Sequence, residues 1–309
     1  MSFLVISPGK DPKAWVEELR NQNPGLNIYV YPEDHDKEDV EFALTWNHPR
    51  GIFQNYPNLK VIASMGAGVD HITSDPELPE DVKITKVVDE RLEEDIGTFV
   101  LSLILAHQRN LLHYREKQLQ EEWDPVPYTR NNEIKVGILG LGNLGQSVAN
   151  FLLKHDFQIR GYSRTKKEIE NIESFAGEDE LDDFLEESNI LVNMLPLTPN
   201  TEKILNKELF EKLPKDAYLI NVARGEHLVE HDLLAKINDG HLSGAALDVF
   251  WEEPIREEHP FWTHSKIRVT PHIASVTHPK SVVPQILDNY ERMQDEEELK
   301  NVVKRDRGY

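Results

Sequence analysis

Ile134-Lys135-Val136-Gly137-Ile138-Leu139 is followed directly by Gly140-Leu141-Gly142-Asn143-Leu144-Gly145. The first six residues are mostly apolar and predict a buried strand. The next six contain three glycines spaced G-x-G-x-x-G, which predicts a tight turn and then a helix from Asn143 to about His155. An apolar segment from Gln158 to Tyr162 predicts the next strand. The stretch therefore indicates a strand–turn–helix–strand unit of a parallel sheet.

Each glycine of this turn has a separate expected role. Gly140 forms the tight turn, Gly142 lets the backbone approach a pyrophosphate, and Gly145 lets helix and strand pack closely. The helix N-terminus at Asn143 and Leu144 directs N–H groups and the positive end of the helix dipole toward that anion. Glycine-rich turns without a ligand are common, but here the flanking strand and helix are both present. The turn therefore predicts a dinucleotide-binding site.

Composition limits the classes of function that the chain can have. Its 309 residues, 39% of them hydrophobic, suffice for two ordinary domain cores. The absence of cysteine excludes disulfides and thiolate metal sites, and we expect no bound metal. A net charge of −21 argues against nucleic-acid binding. The apolar helix expected around Ile96 to Ala106 is too short to span a bilayer, and the start of the chain resembles a strand rather than a signal peptide. We therefore expect a cytoplasmic protein without a membrane partner.

Strand and helix signals alternate along the chain. Asp11 before Pro12 predicts a helix N-terminus, and an apolar stripe between Leu92 and Ile104 predicts a longer helix. Further helices are expected at Asn206 to Leu213 and at Glu230 to Asp239. The other expected strands are Phe3 to Ile6, Leu26 to Tyr31, Phe42 to Trp46, Val61 to Met65, Ile84 to Val88, Ile190 to Met194, Ala217 to Asn221, Ser243 to Ala246 and Ile267 to Thr270. This rhythm predicts an α/β protein built on doubly wound parallel sheets.

Residues that directly follow strands are the first candidates for function. In open parallel sheets, ligands bind beyond the carboxyl ends of the strands. The residues predicted to lie there are Ser163, Arg164, Leu195, Pro196, Val222, Ala223, Arg224, Asp248 and His272.

Several of these positions lie in runs that resemble a known family. The runs are Gly66 to Asp70, Asn221 to Gly225, Ala246 to Pro254 and Thr270 to Ala274. Together with the glycine-rich turn they resemble, in the same order, the signatures of the D-2-hydroxyacid dehydrogenases. Trp46 before His48-Pro49 and the ending Arg307-Gly308-Tyr309 most resemble the glyoxylate/hydroxypyruvate reductase A branch of that family.

The resemblance implies a Rossmann dinucleotide-binding domain, a flavodoxin-like substrate domain and a homodimer. We expect residues 1–101, completed by residues 282–309, to form the substrate domain. Residues 102–281 then form the dinucleotide-binding domain. The resemblance also implies that Trp46 is a wall of the substrate pocket and that Asp248 holds the nicotinamide carboxamide. The cofactor contacts it implies around the strand ends are Leu195, Pro196, Thr201, Val222 and Ala223.

Three side chains have the chemistry that reduction of a 2-oxo acid requires. His272 is the expected general acid, because imidazole titrates near neutral pH. A partner carboxylate favours the protonated ring, and only the resemblance selects Glu253 from the acidic run around it. Arg224 offers a fork of donors that matches a carboxylate.

Backbone groups complete the expected binding of the substrate. Gly66, Ala67 and Gly68 are expected to present consecutive N–H groups to the substrate carboxylate. The resemblance implies that small 2-oxo acids such as glyoxylate and hydroxypyruvate are the substrates. Two alternatives stay open: a reductase of larger 2-oxo acids, and a dinucleotide-sensing scaffold without enzymatic activity.

The cofactor preference is predicted from a missing carboxylate. Enzymes that select NAD usually carry Asp or Glu about 20 residues beyond the glycine-rich turn. Here that position is Ser163, and Arg164, Lys166 and Lys167 follow it in an otherwise acidic chain. A solvated basic turn is the alternative explanation. We expect Ser163, Arg164 and Lys166 to bind the 2′-phosphate of NADPH, with NADH as the weaker cofactor.

Overall fold

The computed structural model describes residues 2–305, so the ending Arg307-Gly308-Tyr309 lies outside the described residues. Within them the strands are β1 (Ser2–Ile6), β2 (Ile28–Val30), β3 (Val40–Thr45), β4 (Val61–Ser64), β5 (Lys83–Thr85), β6 (Lys135–Leu139), β7 (Gln158–Ser163), β8 (Ile172–Ala176), β9 (Ile190–Asn193), β10 (Ala217–Asn221), β11 (Leu242–Leu247) and β12 (Ile267–Val269). The helices are α1 (Lys13–Gln22), α2 (Asp70–Thr73), α3 (Glu90–Gln108), α4 (Leu111–Leu119), α5 (Asn143–Leu153), α6 (Leu181–Glu186), α7 (Lys207–Lys212), α8 (Glu230–Asn238) and α9 (Pro279–Gln294). In this part of the chain, no helix combines the length and the apolar character needed to cross a membrane.

The chain divides into two compact units. The continuous unit is Glu93–Val276, and the split unit consists of residues 2–92 and 277–305. The division therefore falls in the first turn of α3 and just before α9. The domain boundaries expected after residues 101 and 281 lie further along the chain, inside these two helices.

The continuous unit contains one parallel sheet, the large sheet. Among the described residues its strand order is β12-β11-β10-β9-β6-β7-β8. Starting from β6, the chain adds β7 and β8 on one side and then β9 to β12 on the other, which is the order of a Rossmann fold. The order reverses between β6 and β9, whose registers pair Leu139 with Asn193. Ligand-binding residues are therefore expected at this end of β6 and β9.

The split unit contains the small sheet, whose described strands have the order β2-β1-β3-β4-β5 and are all parallel. This is the flavodoxin-like order. Helix α9 belongs to this unit and packs along α1. Its buried side chains include Val282, Val283, Ile286 and Tyr290, which join the same apolar core as Phe3 and Phe42. The two sheets confirm the predicted α/β class.

Local sequence signals predicted some of these helices and strands but not all of them. Asp11 Oδ1 accepts a hydrogen bond from the Lys13 N–H, but the N-cap of α1 is Pro12, so the predicted N-cap at Asp11 lies one residue too early. Strand β8 was not predicted, and neither were α4 and α6. Strand β8 lies at the edge of the large sheet, and α4 has no buried residue, so neither has a strong apolar periodicity.

Candidate active site

The glycine-rich turn between β6 and α5 has the close backbone packing that its spacing predicts. Gly140 has φ +115°, and its N–H donates to the Tyr162 carbonyl at 2.9 Å. A Cβ on Gly145 would lie 1.9 Å from the Gly140 carbonyl oxygen, so a larger residue cannot be accommodated. A Cβ on Gly142 would meet no heavy atom within 4 Å in the described structure, chain neighbours aside. Open space at Gly142 and the α5 N-terminus at Asn143 fit a pyrophosphate group.

Strand β7 ends at the residues expected to select the cofactor. Ser163 Oγ donates to the Thr165 carbonyl at 2.9 Å, and exposed Arg164 follows the strand directly. Lys166 Nζ lies 2.6 Å from Glu180 Oε1, and the hydrogen bond from Lys166 lowers the pKa of Glu180. Lys166 is therefore already paired with a carboxylate.

The loop after β9 carries Leu195, Pro196 and Thr201. Asn193 Oδ1 accepts a hydrogen bond from the Leu195 N–H at 3.2 Å. Thr201 Oγ1 donates to the Pro196 carbonyl at 2.7 Å and accepts from the Thr198 N–H at 2.9 Å. We call residues 195–201 the cofactor loop, because they follow β9 at the reversal of the strand order.

Arg224 stands in a turn that directly follows β10. Asn221 Nδ2 donates to the Arg224 carbonyl at 2.9 Å, and Asn221 Oδ1 accepts from the Ala223 N–H at 3.2 Å. A Cβ on Gly225 would lie 1.9 Å from the carbonyl carbon of Phe250, so only glycine permits this approach. Gly225 thereby brings the Arg224 turn against the segment that carries Glu253.

His272 and Glu253 form a hydrogen-bonded pair. His272 Nδ1 lies 2.7 Å from Glu253 Oε2, and Glu253 Oε1 accepts the Phe250 N–H at 3.0 Å. Both side chains are about one-third exposed, at 35% and 36%. Burial alone raises the pKa of Glu253, but the hydrogen bond and charge of His272, with the Phe250 N–H and the charge of Arg224, lower it below its ordinary value. The ionised carboxylate holds Nδ1, which leaves Nε2 as the nitrogen that can transfer a proton.

Hydrogen bonds to Asp248 hold the backbone around His272 in its conformation. Asp248 is fully buried, and its Oδ1 accepts from Thr270 Oγ1 at 2.6 Å and from the Ile273 N–H at 3.0 Å. Its Oδ2 accepts from the Ala274 N–H at 2.8 Å. The His272 N–H donates to the Asp248 carbonyl at 2.8 Å, and His272 itself has φ +52°, a left-handed conformation that costs energy for a side chain of this size. These bonds compensate for that strain.

In the split unit, Trp46 follows β3 and Gly66 follows β4. The rings of Trp46 and His71 have centroids 4.7 Å apart, and a Cβ on Gly66 would lie 3.0 Å from Trp46 Cζ3. The Gly66 N–H donates to Ser64 Oγ at 3.1 Å. The Gly66 N–H therefore already has an acceptor in its own turn, and its binding of a carboxylate stays a prediction.

The neighbouring N–H groups of this glycine-rich turn differ from that of Gly66. Those of Ala67 and Gly68 have no hydrogen-bond acceptor among residues 2–305. Ser64 Oγ donates to the Gly68 carbonyl at 2.8 Å, which fixes the turn. Of the three predicted donors, Ala67 and Gly68 are therefore the two whose N–H groups are available to a ligand. Across the described residues, no cluster of three or more histidine, aspartate or glutamate side chains is arranged to hold a metal ion.

Comparison with known proteins identifies the family. Residues 101–274 match the family model described as D-isomer specific 2-hydroxyacid dehydrogenase, NAD binding domain. The chain is 39% identical to glyoxylate/hydroxypyruvate reductase A of Photorhabdus laumondii and 37% identical to that of Yersinia enterocolitica, in each case over 100% of both proteins. The chain belongs to the D-isomer specific 2-hydroxyacid dehydrogenases.

Solved structures of 2-hydroxyacid dehydrogenases agree with this assignment over the full chain. The enzyme of Xanthobacter autotrophicus Py2 in complex with NADPH and MES is 37% identical, with a TM-score of 0.94, over 100% of this chain and 99% of that one. The NADPH-dependent glyoxylate/hydroxypyruvate reductase of Sinorhizobium meliloti in complex with NADP and sulfate is 32% identical, with a TM-score of 0.93, over 100% of both chains.

Some residues that shape this dehydrogenase site were not found in the sequence. Gly225 lay inside a quoted run, but its contact with Phe250 depends on a fold that brings two distant segments together. Asn193 and Asn221 end adjacent strands and are fully buried, although asparagine is rarely found inside a core. An asparagine ending an apolar strand was the available signal for both.

Proposed function

We propose that this protein reduces small 2-oxo acids, glyoxylate and hydroxypyruvate above all, to 2-hydroxy acids with NADPH. The observation that carries the proposal is the His272–Glu253 pair at 2.7 Å beside the Arg224 turn. A proton donor and a carboxylate-binding cation are what the reaction requires of the protein. The names of similar reductases support the same substrate class.

The roles of the three side chains follow from their chemistry. NADPH, when bound, supplies the hydride that forms the new C–H bond at C2. His272 then donates its Nε2 proton to the oxygen on C2, which would otherwise carry a negative charge. Glu253 holds the ring in place and stabilises its protonated form before the transfer. Arg224 binds the substrate carboxylate and withdraws charge from the carbonyl.

Residues of the split unit are proposed to bind the substrate as well. The N–H groups of Ala67 and Gly68 are suited to donate hydrogen bonds to one carboxylate oxygen. Trp46 is proposed as an apolar wall beside them, supported by its packing against Gly66. Gly66 contributes to this arrangement through its small size, because its own N–H is bonded to Ser64.

NADPH is proposed to bind along the carboxyl edge of the large sheet. The pyrophosphate would lie at the glycine-rich turn, and the 2′-phosphate at Ser163 and Arg164, with Lys166 as a further cation. Asp248 is proposed to hold the nicotinamide carboxamide, in addition to supporting His272. The residues proposed to hold the cofactor are Gly140, Gly142, Asn143, Leu144, Gly145, Ser163, Arg164, Lys166, Leu195, Pro196, Thr201, Val222, Ala223 and Asp248.

A panel of 2-oxo acids assayed with NADPH and with NADH tests the function. We expect loss of the reduced-nicotinamide absorbance with glyoxylate and hydroxypyruvate, and less with bulky or branched 2-oxo acids. Higher kcat/KM with branched acids would replace the proposed substrates by larger ones. Tight NADPH binding without turnover of any acid would instead indicate a dinucleotide-sensing scaffold.

We propose that the protein is a homodimer that uses the surface of α4 and the residues after it. Leu119 is 69% exposed and Trp123 96% exposed, and Leu111 and Tyr128 are also exposed. Exposed apolar side chains at this density mark interaction surfaces. Residues 109–130 contain four Lys or Arg and four Asp or Glu, so this segment is neutral in a chain of net charge −21. Two copies would therefore repel each other least through this segment.

Sedimentation of two matched tryptophan variants tests the dimer. Trp123→Ser should shift the protein toward monomer, whereas Trp262→Ser, which removes a half-exposed tryptophan elsewhere, should leave the dimer intact. A monomeric parent, or equal behaviour of the two variants, would contradict the proposed surface.

We further propose a cytoplasmic location, because NADPH is regenerated there. Cell fractionation with a cytoplasmic marker tests this location.

A further inference from the structure

Three fully buried polar side chains lie between the cofactor loop and the Arg224 turn. They are Asn193, which ends β9, Asn221, which ends β10, and His227, which lies in the turn after Arg224. A buried polar group without a hydrogen-bond partner raises the free energy of the folded state. Conformations of this region that break these hydrogen bonds are therefore disfavoured.

The hydrogen bonds of Asn193 determine the protonation of His227. Asn193 Nδ2 donates to Asn221 Oδ1 at 3.0 Å and to His227 Nδ1 at 2.9 Å. Both amide hydrogens are therefore used, and His227 Nδ1 must be an acceptor. The ring proton then lies on Nε2, which is 3.3 Å from the Pro196 carbonyl oxygen and can donate to it. Neutral His227 thus has a donor side and an acceptor side.

The two sides of the ring lead to two different parts of the site. The donor side contacts Pro196 in the cofactor loop, whose carbonyl also accepts from Thr201 Oγ1. On the acceptor side, Asn193 bonds Asn221, whose Nδ2 donates to the Arg224 carbonyl. Asn193 Oδ1 also accepts from the Leu195 N–H, a separate bond to the cofactor loop that does not involve the His227 ring. A continuous chain of hydrogen bonds therefore joins the cofactor loop to the backbone of Arg224.

Main-chain bonds hold neighbouring parts of the same region. The His227 N–H donates to the Arg224 carbonyl at 3.4 Å, a long bond to the carbonyl that Asn221 Nδ2 also bonds, at 2.9 Å. The Leu205 N–H donates to the His227 carbonyl at 2.9 Å, and the Lys203 N–H donates to the Glu226 carbonyl at 2.9 Å. These bonds hold residues 203–205, which follow the cofactor loop. The contacts between Pro196 and the Arg224 turn described above are made by side chains.

We propose that His227 is a positioning residue with two separable functions. Its Nε2–H fixes the cofactor loop and so the bound nicotinamide nucleotide, and its Nδ1 fixes Arg224, through Asn193 and Asn221, for the carboxylate of the 2-oxo acid. This inference rests on the proposed function for the identity of the two ligands. It adds a residue that aligns them with each other.

Two conservative variants remove one side of the ring at a time. His227→Asn places an amide oxygen near the position of Nδ1 and loses the donor to Pro196. His227→Gln places an amide N–H near the position of Nε2 and loses the acceptor for Asn193. His227→Leu loses both. His241→Asn is the matched control, because His241 Nε2 also bonds a carbonyl, that of Phe210, on another part of the same unit.

Each protein is measured in three ways: NADPH Kd by nucleotide fluorescence, KM for glyoxylate at saturating NADPH, and thermal midpoint. One neutral hydrogen bond corresponds to about three- to tenfold in a binding constant. We expect His227→Asn to raise the NADPH Kd by about that factor and His227→Gln to raise the glyoxylate KM by about that factor, each leaving the other constant within about twofold. His227→Leu should raise both constants, and His241→Asn neither.

Two results would overturn the proposal. In the first, the Asn and Gln variants change both constants equally. In the second, every His227 variant lowers the thermal midpoint while Kd and KM stay at the parent values, which is the behaviour of a residue that only fills space. Failure of the proposed function is seen separately, as a parent protein that binds NADPH but does not reduce glyoxylate. The Kd comparison of the Asn and Gln variants still tests the donor side in that case.

Discussion

The two halves of the carboxyl edge of the large sheet are built in different ways. In the nucleotide half, after β6 and β7, the essential geometry is contained in the six residues Gly140 to Gly145 and in the turn from Ser163. In the catalytic half, after β10, β11 and β12, the groups that meet are far apart in sequence. Glu253 bonds His272 across 19 residues, and Gly225 packs against Phe250.

The difference separates local from long-range information. A turn whose glycines are required by its own backbone can be identified from spacing alone. A pair such as His272 and Glu253 exists only after three strands have assembled, so spacing does not reveal it. If the halves are as distinct in function as in construction, changes in the catalytic half should alter turnover, and changes in the nucleotide half should alter cofactor selection.

The largest expected effect is in the catalytic half. His272→Asn removes the proton donor while an amide can still bond Glu253, so kcat should fall by about 10² to 10⁴. NADPH Kd should barely change, because His272 is not proposed to hold the cofactor. Single-turnover and fluorescence measurements check the two quantities. Near-normal turnover would remove His272 from the mechanism.

A smaller loss is expected when the Arg224 fork is replaced. Arg224→Lys keeps the charge but not the bidentate geometry, so kcat/KM for glyoxylate should fall at least about tenfold, or about 1.4 kcal/mol. Steady-state kinetics at saturating NADPH measure it. If the lysine variant is as efficient as the parent, bidentate binding of the carboxylate is wrong.

The nucleotide half should respond through cofactor selection. The parent should prefer NADPH over NADH by at least about tenfold in kcat/KM, and Arg164→Ala should remove most of that preference. Lys166→Ala is the comparison, with a weaker effect expected because Lys166 is paired with Glu180. A parent kcat/KM with NADH that equals or exceeds that with NADPH would contradict this prediction.

The smallest expected effect is a displacement of a pH profile. In Glu253→Gln the ring of His272 loses the carboxylate beside it that favours the protonated form. As the pH is raised, the rate of reduction by the variant should therefore begin to fall at a lower pH than that of the parent. The carboxylate provides this support over a wide pH range, because the pKa of Glu253 is itself lowered by His272. Profiles of kcat/KM for parent and variant that coincide would assign Glu253 to a solvated acidic surface.

The sequence predicted the Rossmann unit because Gly140, Gly142 and Gly145 follow an apolar strand, and the family assignment confirms that interpretation. Edge strand β8 and exposed α4 were not predicted, because neither has a buried face that imposes a hydrophobic period. The hydrogen bond from the Gly66 N–H to Ser64 was not predicted, since spacing alone does not distinguish a local turn from a binding turn. The support of His272 by Asp248 was not anticipated, because it depends on the fold of two loops.

The division of the small sheet's core between both ends of the chain has a consequence for biosynthesis. Helix α9 supplies Val282, Val283 and Ile286 to a core that residues 2–92 otherwise leave incomplete. At about 5 to 20 residues per second, a ribosome needs about 10 to 40 s to synthesise Glu93–Val276 before α9 follows. The nascent N-terminal segment must therefore wait with apolar surface exposed while the continuous unit folds first, and this interval is when a chaperone would bind it.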